Sequence, residues 1–487
     1  MVPVKKSLSP KASKLKTEAF SNISLRSFLT VVLVLSGILL LCGVLSYIIP
    51  QGHFQRDEGG GILPDSYVQT EVQGLAPWRL LTAPFRVFFS EDSLTIIMIS
   101  LFLLIMSGVF RLLEQTGGVK IFISRIISGL KGKNGPVICI TVLIFMLFGS
   151  FFGMFEELVT LLPIMIVFML SMGMDSMMGL GTCLLAACFG FSAAITNPFS
   201  VGLASQYMNM SPADGLWLRV VLFLLIYVTV CTFLLLYLRK LRKNPKLSPS
   251  YEVDCEKRAA LDRPGETAGP EEQRIFHIYC GFFSVQAVAL LAIASVRAIS
   301  NFAIPILAAS FLLSGLVAGK LVCGRMKDVL LHILKGAASM LPAVLMIALA
   351  SSVKLVMTES GILDPIMHAA LGLLENKPPF LAIVLIYGLI LFLQLFIGSA
   401  SAKIVLIMPI VMPIAVALGI SPSLVILTYC IADGFSDAII PTNPVLLIGL
   451  SMANVSYGKW VKWTWKLQLL VFALTILILF FGVSIGY

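Results

Sequence analysis

Charged residues are scarce in this sequence. Asp, Glu, Lys and Arg make up 12% of the 487 residues, and 58% of the residues are hydrophobic. Soluble domains typically contain roughly 25% charged residues. Many of the apolar runs reach the roughly 20 residues that a helix needs to cross a bilayer. The composition therefore excludes a water-soluble globular core and predicts a polytopic membrane protein in a lipid bilayer.

Catalytic and metal-binding motifs are also missing. The four histidines are scattered without metal-ligand spacing, so nothing supports a metalloprotease. No Walker sequence is present, so ATP does not drive a process from this chain. No Ser–His or Asp–Asp pair of the kind an intramembrane hydrolase needs stands out. Of the nine cysteines only Cys255 lies in a polar segment, which indicates small buried hydrophobes rather than disulfides. We expect no enzyme and no cofactor.

The net charge of +10 is distributed unevenly along the chain. Twenty-six of the 35 Lys and Arg residues fall in five segments, at 1–27, 117–135, 239–274, 320–335 and 455–466. The alternate loops hold only six, at 50–92, 207–219, 297–301 and 359–378. This segregation is the positive-inside signature and not a nucleic-acid-binding patch. We expect an inner-membrane protein with its N-terminus and basic loops in the cytoplasm and no nucleic-acid partner.

The hydropathy pattern predicts an all-α fold of about nine transmembrane helices and two re-entrant hairpins. A basic tail at 1–27 precedes a first helix and extracellular loop at 28–93. The first helix lacks a small-residue cleavage site and is expected to be retained. Repeat 1 follows at 94–238, with a hairpin at 136–172 and a broken helix at 177–206. A mobile cytoplasmic linker at 239–274 and two connecting helices at 275–323 come next. Repeat 2 lies at 337–487, with a hairpin at 379–418 and a broken helix at 421–454.

An internal repeat with an offset of 246 residues relates the two halves. The offset matches Pro163 with Pro409, Gly173 with Gly419 and Thr196 with Thr442. The segment GFSAAITNP matches GFSDAIIPTNP with a two-residue insertion. An odd number of predicted crossings separates the two copies, so the second copy has the opposite orientation in the membrane. Inverted repeats with interrupted helices are typical of secondary transporters, which bind their substrate near the midplane.

Each copy carries the tripeptide Thr-Asn-Pro inside an apolar run of membrane length, at 196–198 and 442–444. Pro breaks a helix, and freed backbone groups in hydrocarbon each cost several kcal/mol unless they are satisfied. One such motif is explained by a tolerated kink, but two at matched positions indicate a binding site. Half-helix ends attract carboxylates or cations. Thr196, Asn197, Thr442 and Asn443 offer donors and acceptors for either, and a Na⁺ site is expected near the two asparagines.

The tips of the two predicted hairpins carry further candidates. Ionisable residues at membrane depth are costly and therefore functional by default. Glu156 and Glu157 lie at the first tip, where capping of a half-helix is the structural alternative to substrate or ion binding. The second tip, GSASAK, contributes Ser399, Ser401 and Lys403. We expect these hairpin tips to meet the two breaks.

Two aspartates precede the second break. Asp433 and Asp437 are four residues apart and share one helix face. They can cap the helix or pair with Lys403, or they can bind a cation or proton. Lys403 is then either a structural partner of a carboxylate or a ligand of a substrate carboxylate. Arg219 and Lys354 lie nearer to span ends and are expected to snorkel, which is a structural role.

Four motifs carry a resemblance to a known family: GMFEE, GSASAK followed by MPI, ADGFSDAIIPT, and YIIPQGHFQR after the first helix. The chain resembles, from about 28 to 486, the YfcC-type group of C4-dicarboxylate anaerobic carriers in the ion transporter superfamily. The resemblance implies scaffold and transport domains, two hairpins, an elevator-like motion and a homodimer. It also implies cargo such as dicarboxylates or exchanged arginine and ornithine. Asp437 stands where the group often has Asn.

The sequence thus predicts an ion-coupled secondary carrier working by alternating access. Its cargo is expected to be a small carboxylate-bearing solute, such as a C4-dicarboxylate or an amino acid, coupled to Na⁺ or H⁺. A basic amino acid antiporter is the alternative. A channel would also place polar breaks at depth, but its filter needs a ring of equivalent sites around a pore. Two inverted copies around one site do not form such a ring.

Overall fold

The structure is a computed structural model that describes residues 25–55, 66–70, 74–90, 93–118, 133–206, 210–261, 270–295, 303–374 and 377–487. Most of the predicted basic tail at 1–27 lies outside these residues. The described chain is helical apart from one small hairpin, in which β1 (Gly52–His53) pairs antiparallel with β2 (Val68–Gln69). The expected all-α class is therefore confirmed.

The helices of the first half are α1 (Leu25–Ile48), α2 (Pro77–Arg86), α3 (Ser93–Gln115), α4 (Asn134–Phe152), α5 (Leu162–Ser171), α6 (Ser176–Ser192), α7 (Leu203–Gln206) and α8 (Leu216–Lys243). A π-helical turn lies within α6 at Gly181–Leu185 and another precedes α7 at Pro198–Gly202. A 3₁₀ turn at Glu157–Leu161 joins α4 to α5.

The rest of the chain forms α9 (Tyr251–Leu261), α10 (Pro270–Ser295), α11 (Ala303–Cys323), α12 (Met326–Ser339), α13 (Leu341–Glu359), α14 (Leu363–Leu374), α15 (Pro379–Gln394), α16 (Ala400–Ala417), α17 (Pro422–Asp437), α18 (Pro444–Ala453) and α19 (Tyr457–Ile485). The predicted spans fall on these helices. The sequence pattern did not anticipate α2, α9, α12 and α14, which occupy segments that were predicted as loops.

Five described helices are long and apolar enough to cross a membrane by themselves, and two bent pairs raise the number to seven. One bent pair is α12 with most of α13 (Val344–Glu359), at 43°, and the other lies within α16, at 47°. The remaining predicted crossings fall on α1, on α10 and on the two broken helices, of which α6 and α18 are among the shorter apolar helices. The predicted hairpins correspond to α4 with α5 and to α15 with α16, although α4 is long enough to cross on its own.

The two broken helices cross at the centre of the molecule. The Sγ atom of Cys188 in α6 donates to the carbonyl oxygen of Gly434 in α17 at 3.0 Å, and Phe189 packs edge-to-face on Phe435 with ring centroids 4.9 Å apart. A Cβ atom on Gly434 would lie 2.6 Å from the Cα of Ser192, so only glycine permits this approach. Both contacts join residues 246 apart, and the matched GFS motifs are 244 apart, so the contacts join nearly equivalent positions of the two copies.

Each half-helix beyond a break packs on the hairpin of the other copy. The turn at Pro198–Gly202 and α7 contact α16, and α18 contacts α5 and the 3₁₀ turn at Glu157–Leu161. A second group of helices, formed by α3, α10, α11 and α12, packs together beside this core. The two breaks and the two hairpin tips are thus brought into one region.

The expectation that the linker at 239–274 is mobile is wrong for its first part. Helix α9 is docked on the core, with Asp254 and Lys257 both buried. Asp254 accepts a hydrogen bond from the backbone N–H of Ser176 at the start of α6, at 2.9 Å. The Nζ atom of Lys257 donates to the carbonyl oxygen of Ala453 at the end of α18, at 2.8 Å. These bonds fix the segment in spite of its polar composition.

Candidate substrate and ion site

The first break is supported by the first hairpin. The carbonyl oxygen of Ser150, near the end of α4, accepts hydrogen bonds from the backbone N–H groups of Ile195, Thr196 and Asn197 at 3.1–3.3 Å. The hydroxyl of Ser150 donates to the carbonyl oxygen of Ala193 at 2.6 Å. A break at membrane depth is tolerated where protein satisfies the freed groups. Ser150 performs that role here.

Asn197 turns the chain into the half-helix beyond the first break. Its Oδ1 atom accepts from the backbone N–H of Phe199 at 2.9 Å, which caps the following turn. Gly153 at the hairpin tip has a φ of 68°, and a Cβ atom there would lie 2.3 Å from Asn197 Oδ1. The Nδ2 amide of Asn197 is fully buried and has no hydrogen-bond partner in the described chain. A buried donor without an acceptor is costly, so it is a candidate ligand group.

Thr196 differs from its neighbour in being exposed. Its hydroxyl donates to the carbonyl oxygen of Phe151 at 3.3 Å. The first break therefore offers a hydroxyl at the surface of the site and an unpartnered amide donor behind it.

Arg219 bonds to a backbone carbonyl oxygen at the first break. Its guanidinium is 2% exposed and donates to the carbonyl oxygen of Ile195 at 2.8 Å. It also donates to the carbonyl oxygens of Pro212 at 2.6 Å and Asp214 at 2.7 Å. Snorkelling towards water was expected for this residue, and that expectation is wrong. The side chain points into the protein and satisfies a carbonyl group that the break sets free.

The second break is capped in the same way as the first. The Oδ1 atom of Asn443 accepts from the backbone N–H groups of Val445 at 2.9 Å and Leu446 at 3.2 Å. The hydroxyl of Thr442 donates to the carbonyl oxygen of Gln394 at the end of α15, at 3.3 Å. Both Thr442 and Asn443 are buried. The second hairpin thus contacts the second break through one side-chain hydrogen bond, whereas the first hairpin accepts three backbone N–H groups of the first break.

Asp437 is the buried carboxylate closest in sequence to the second break. Its Oδ1 atom accepts hydrogen bonds from the Nδ2 amide of Asn443 at 2.6 Å and from the Nε2 amide of Gln394. Both partners are neutral, and no Lys or Arg of the described chain forms an ion pair with Asp437. The Oε1 atom of Gln394 is buried and has no hydrogen-bond partner among the described residues. A carboxylate and a free amide oxygen form an electron-rich pair suited to a hard cation.

Unlike Asp437, Asp433 forms an ion pair with a lysine of the described chain. The Nζ atom of Lys403 forms an ion pair with Oδ1 of Asp433, and both side chains are fully buried. Asp433 lies one helical turn before Asp437 on α17. Of the alternatives open for Lys403, the structure shows the structural pair with a carboxylate. Binding of a substrate carboxylate by Lys403 stays a prediction.

Lys403 lies in the first turn of α16, not in a loop. Ser399 caps this helix by accepting from the backbone N–H of Ala402 at 3.4 Å, and its side chain is exposed. Ser401 is half-buried in the first turn. The hydroxyl of Tyr429 on α17 donates to the carbonyl oxygen of Ala400 at 2.6 Å and holds the tip against the broken helix.

Glu156 is the remaining acidic candidate whose side chain the structure describes. It is half-buried and lines an apolar cleft between α3, the tip of the first hairpin and α18. Phe102, Met106 and Val445 are among its neighbours in the cleft. Glu157 begins the 3₁₀ turn, and its side chain lies outside the described part of the structure.

Sequence reasoning missed three residues that form the site. Ser150 and Gln394 are isolated polar residues in otherwise apolar hairpin arms, and that isolation was the signal available for them. Arg219 was recognised as ionisable but was placed in a structural role at a span end. Ser150 and Gln394 form hydrogen bonds with residues that the sequence did single out, whereas Arg219 bonds to the carbonyl oxygen of Ile195, next to Thr196.

The sequence profile described as "DcuC: C4-dicarboxylate anaerobic carrier" matches residues 25–484, which is nearly the whole chain. The chain belongs to the C4-dicarboxylate anaerobic carrier family. It is a multi-pass membrane protein and a secondary transporter, not an enzyme, as the sequence predicted.

Two relatives are 26% identical to this chain. One is an uncharacterized protein of Haemophilus influenzae, aligned over 378 residues that cover 76% of this chain and 72% of the relative. The other is described as "Putative basic amino acid antiporter YfcC" of Escherichia coli, aligned over 426 residues that cover 84% of this chain and 82% of the relative. The expected YfcC-type resemblance is confirmed.

Two solved transporter structures are similar at low identity. The YdaH transporter of Alcanivorax borkumensis is 18% identical with a TM-score of 0.42, covering 94% of this chain and 98% of that one. MtrF of Neisseria gonorrhoeae is 15% identical with a TM-score of 0.43, covering 96% of each chain.

Proposed function

We propose that this chain is an ion-coupled secondary carrier of a small carboxylate-bearing solute and that Asp437 binds the cation required for transport. The observation that carries the proposal is the unequal treatment of the two aspartates on α17. Asp433 is neutralised by Lys403, whereas the partners of Asp437 within the described part of the chain are neutral amides. A buried carboxylate without a positive partner is costly until a proton or a cation neutralises it.

The site has a polarity that fits a carboxylate at its other end. Donors without partners gather at the first break, where the Nδ2 amide of Asn197 is buried. Acceptors gather at the second break, where Asp437 and the Oε1 atom of Gln394 lie. A solute carboxylate is best satisfied at the first break and a cation at the second. This assignment replaces a Na⁺ site shared between Asn197 and Asn443 with one at Asp437.

Exchange of basic amino acids is the second candidate. A cationic side chain or an α-ammonium group can neutralise Asp437 directly, and no coupling ion is then needed. The name of the Escherichia coli relative, putative basic amino acid antiporter, supports this candidate. The two candidates share the role of Asp437 and differ only in whether the cargo or a separate ion brings the positive charge.

The apolar cleft at Glu156 lies where the core meets the second group of helices. We place the transport domain in the hairpins and broken helices and the scaffold in that second group, with a homodimer and an inner-membrane location as the family resemblance implies. Movement of one group along the other would pass through this cleft. Glu156 and Glu157 would then lie on the moving side of that interface.

A ligand screen tests the proposal. Detergent-purified protein is heated with succinate, fumarate, L-arginine, L-ornithine or L-aspartate, each with and without Na⁺ and at two pH values. A ligand that binds the folded state raises the melting temperature through RT ln(1 + [L]/Kd), or about 2.7 kcal/mol at 100 times Kd. We expect an anionic ligand to stabilise only with Na⁺ or at low pH, and a basic amino acid to stabilise without either. Stabilisation by none of these would reject the proposed cargo class.

A further inference from the structure

At each break, backbone carbonyl oxygens at the end of the first half-helix accept hydrogen bonds from side chains. The donor is charged at the first break and neutral at the second. At the first break the donor to the Ile195 carbonyl oxygen is the guanidinium of Arg219, on α8. At the second break the Nε1 atom of Trp460 donates to the carbonyl oxygen of Ala438 at 2.7 Å. The hydroxyl of Tyr457 donates to the carbonyl oxygen of Ile439 at 2.5 Å. In both copies the donors lie on the helix that follows the broken helix.

Arg219 is a fixed positive charge that forms no ion pair with a carboxylate among the described residues. Its partners in the described chain are backbone carbonyl oxygens and the hydroxyl of Tyr487, and it is 2% exposed. Asp437 is the opposite case, a buried carboxylate held by neutral amides. Neither charge is cancelled locally, and Coulomb interactions are strong where water is excluded. The site therefore has a positive end at the first break and a negative end at the second.

We infer that Arg219 is a specificity-determining residue whose charge makes the first break bind a carboxylate group in preference to a cation. The inference rests on the proposed function and adds the orientation of the cargo. The guanidinium donates a hydrogen bond to the Ile195 carbonyl oxygen, which would otherwise be available as a cation ligand. Its positive charge also repels cations from the first break. It attracts an anionic group to the unpartnered Nδ2 amide of Asn197.

The orientation follows from the two fixed charges. The carboxylate of the cargo faces Asn197, and the cation faces Asp437, whether the cation is part of the cargo or a coupling ion. A solute that carries both charges, such as an amino acid, satisfies the two ends at once. A cargo without a carboxylate leaves the positive end unpaired and should bind weakly.

The test compares ligands that differ in one carboxylate. L-arginine is paired with L-argininamide, and succinate with succinamate, on the wild type and on the variants Arg219→Gln, Arg219→Lys and Trp460→Phe. The matched control is Trp460→Phe, because it also removes a donor to a freed helix carbonyl but removes no charge. Affinities come from melting-temperature titrations of purified protein, with counterflow in proteoliposomes as a second readout.

We expect the wild type to prefer the carboxylate member of the pair by at least about tenfold. Arg219→Gln should reduce that preference to about one, and Arg219→Lys should retain most of it because the charge is kept. Trp460→Phe should lower the melting temperature and leave the preference unchanged. The Na⁺-dependent stabilisation should persist in Arg219→Gln, because the cation site is at Asp437.

An unchanged preference in Arg219→Gln, with binding intact, would overturn the inference and leave the proposed function standing. Loss of the preference in both Arg219→Gln and Trp460→Phe would also overturn it, since the effect would then be structural. Absence of binding by the wild type to any of these ligands would instead count against the proposed function.

Discussion

At the scale of the residue, the charge of the site depends on which buried carboxylate forms an ion pair with Lys403. Asp433 and Asp437 are chemically identical and one turn apart, yet only Asp433 has an ion-pair partner in the described chain. The helix periodicity predicted that they share a face. The choice between them depends on where the tip of the second hairpin places Lys403, and no local pattern in the sequence contains that information.

The Lys403–Asp433 pair can be tested by a double-mutant cycle. Lys403→Met or Asp433→Leu alone should reduce the free energy of unfolding by roughly 3–5 kcal/mol, because each leaves a buried charge unpaired. The double variant should recover most of that loss. The measurement is the denaturation of purified protein in detergent. Additive losses in the double variant would show that the two side chains do not interact.

At the scale of the element, the first break is stable because the first hairpin accepts hydrogen bonds from its freed N–H groups. The freed carbonyl groups of the second break are satisfied by Tyr457 and Trp460 of α19. The boundaries of the spans and hairpins followed from hydropathy and from the 246-residue offset. The docking of the tips on the breaks did not, because it depends on close approaches such as that of Gly153 to Asn197. Helix α9 was missed for another reason: its polar composition resembles that of a mobile linker, and only tertiary contacts order it.

Gly153→Ala and Gly398→Ala form a matched pair at the two hairpin tips. At Gly153 the backbone φ is 68° and a Cβ atom would meet the Asn197 side chain, so alanine should cost about 1–3 kcal/mol and impair transport. At Gly398 the nearest atom to a Cβ is 3.6 Å away, and alanine should be nearly neutral. Melting temperature and uptake are the readouts. Equal effects at both tips would contradict the proposed contact between Gly153 and Asn197.

Lys257→Met tests the docked linker. The substitution removes the donor to the Ala453 carbonyl oxygen and should lower the stability by about 1–3 kcal/mol. Lys246→Met, at an exposed position of the same segment, is the control and should have little effect. Thermal denaturation in detergent measures both. A stable Lys257→Met variant would show that α9 does not depend on this bond.

At the scale of the whole molecule, the fold class and the family were accessible from the sequence because they depend on composition, loop charge and repeat spacing. The polarity of the site was only partly accessible. Four acidic candidates against one lysine suggested a cation requirement, but the buried guanidinium of Arg219 and the Lys403–Asp433 pair changed the balance. Burial and pairing decide net charge at a site, and both are properties of the folded chain.

The inverted topology predicts the side from which cysteines react. Native Cys255 in α9 is exposed and should be modified by impermeant thiol reagents only from the cytoplasmic side. A cysteine introduced at Lys377, between α14 and α15, should react only from outside when Cys255 is replaced by serine. Labelling of whole cells and of inverted vesicles gives the two sides. Reaction of both positions from the same side would exclude the proposed inverted arrangement.

The most direct test of the account is counterflow in proteoliposomes by the wild type and the Asp437→Asn variant. Uptake of radiolabelled succinate and L-arginine is measured with and without Na⁺, at about pH 6 and about pH 8, one value on each side of neutrality. We expect saturable counterflow by the wild type, with anionic cargo requiring Na⁺ or acidic pH and basic cargo requiring neither. Asp437→Asn should abolish both the cation requirement and most of the transport, while Asn443 still caps α18. Undiminished transport by Asp437→Asn, with the same dependence on cations as the wild type, would contradict the central claim.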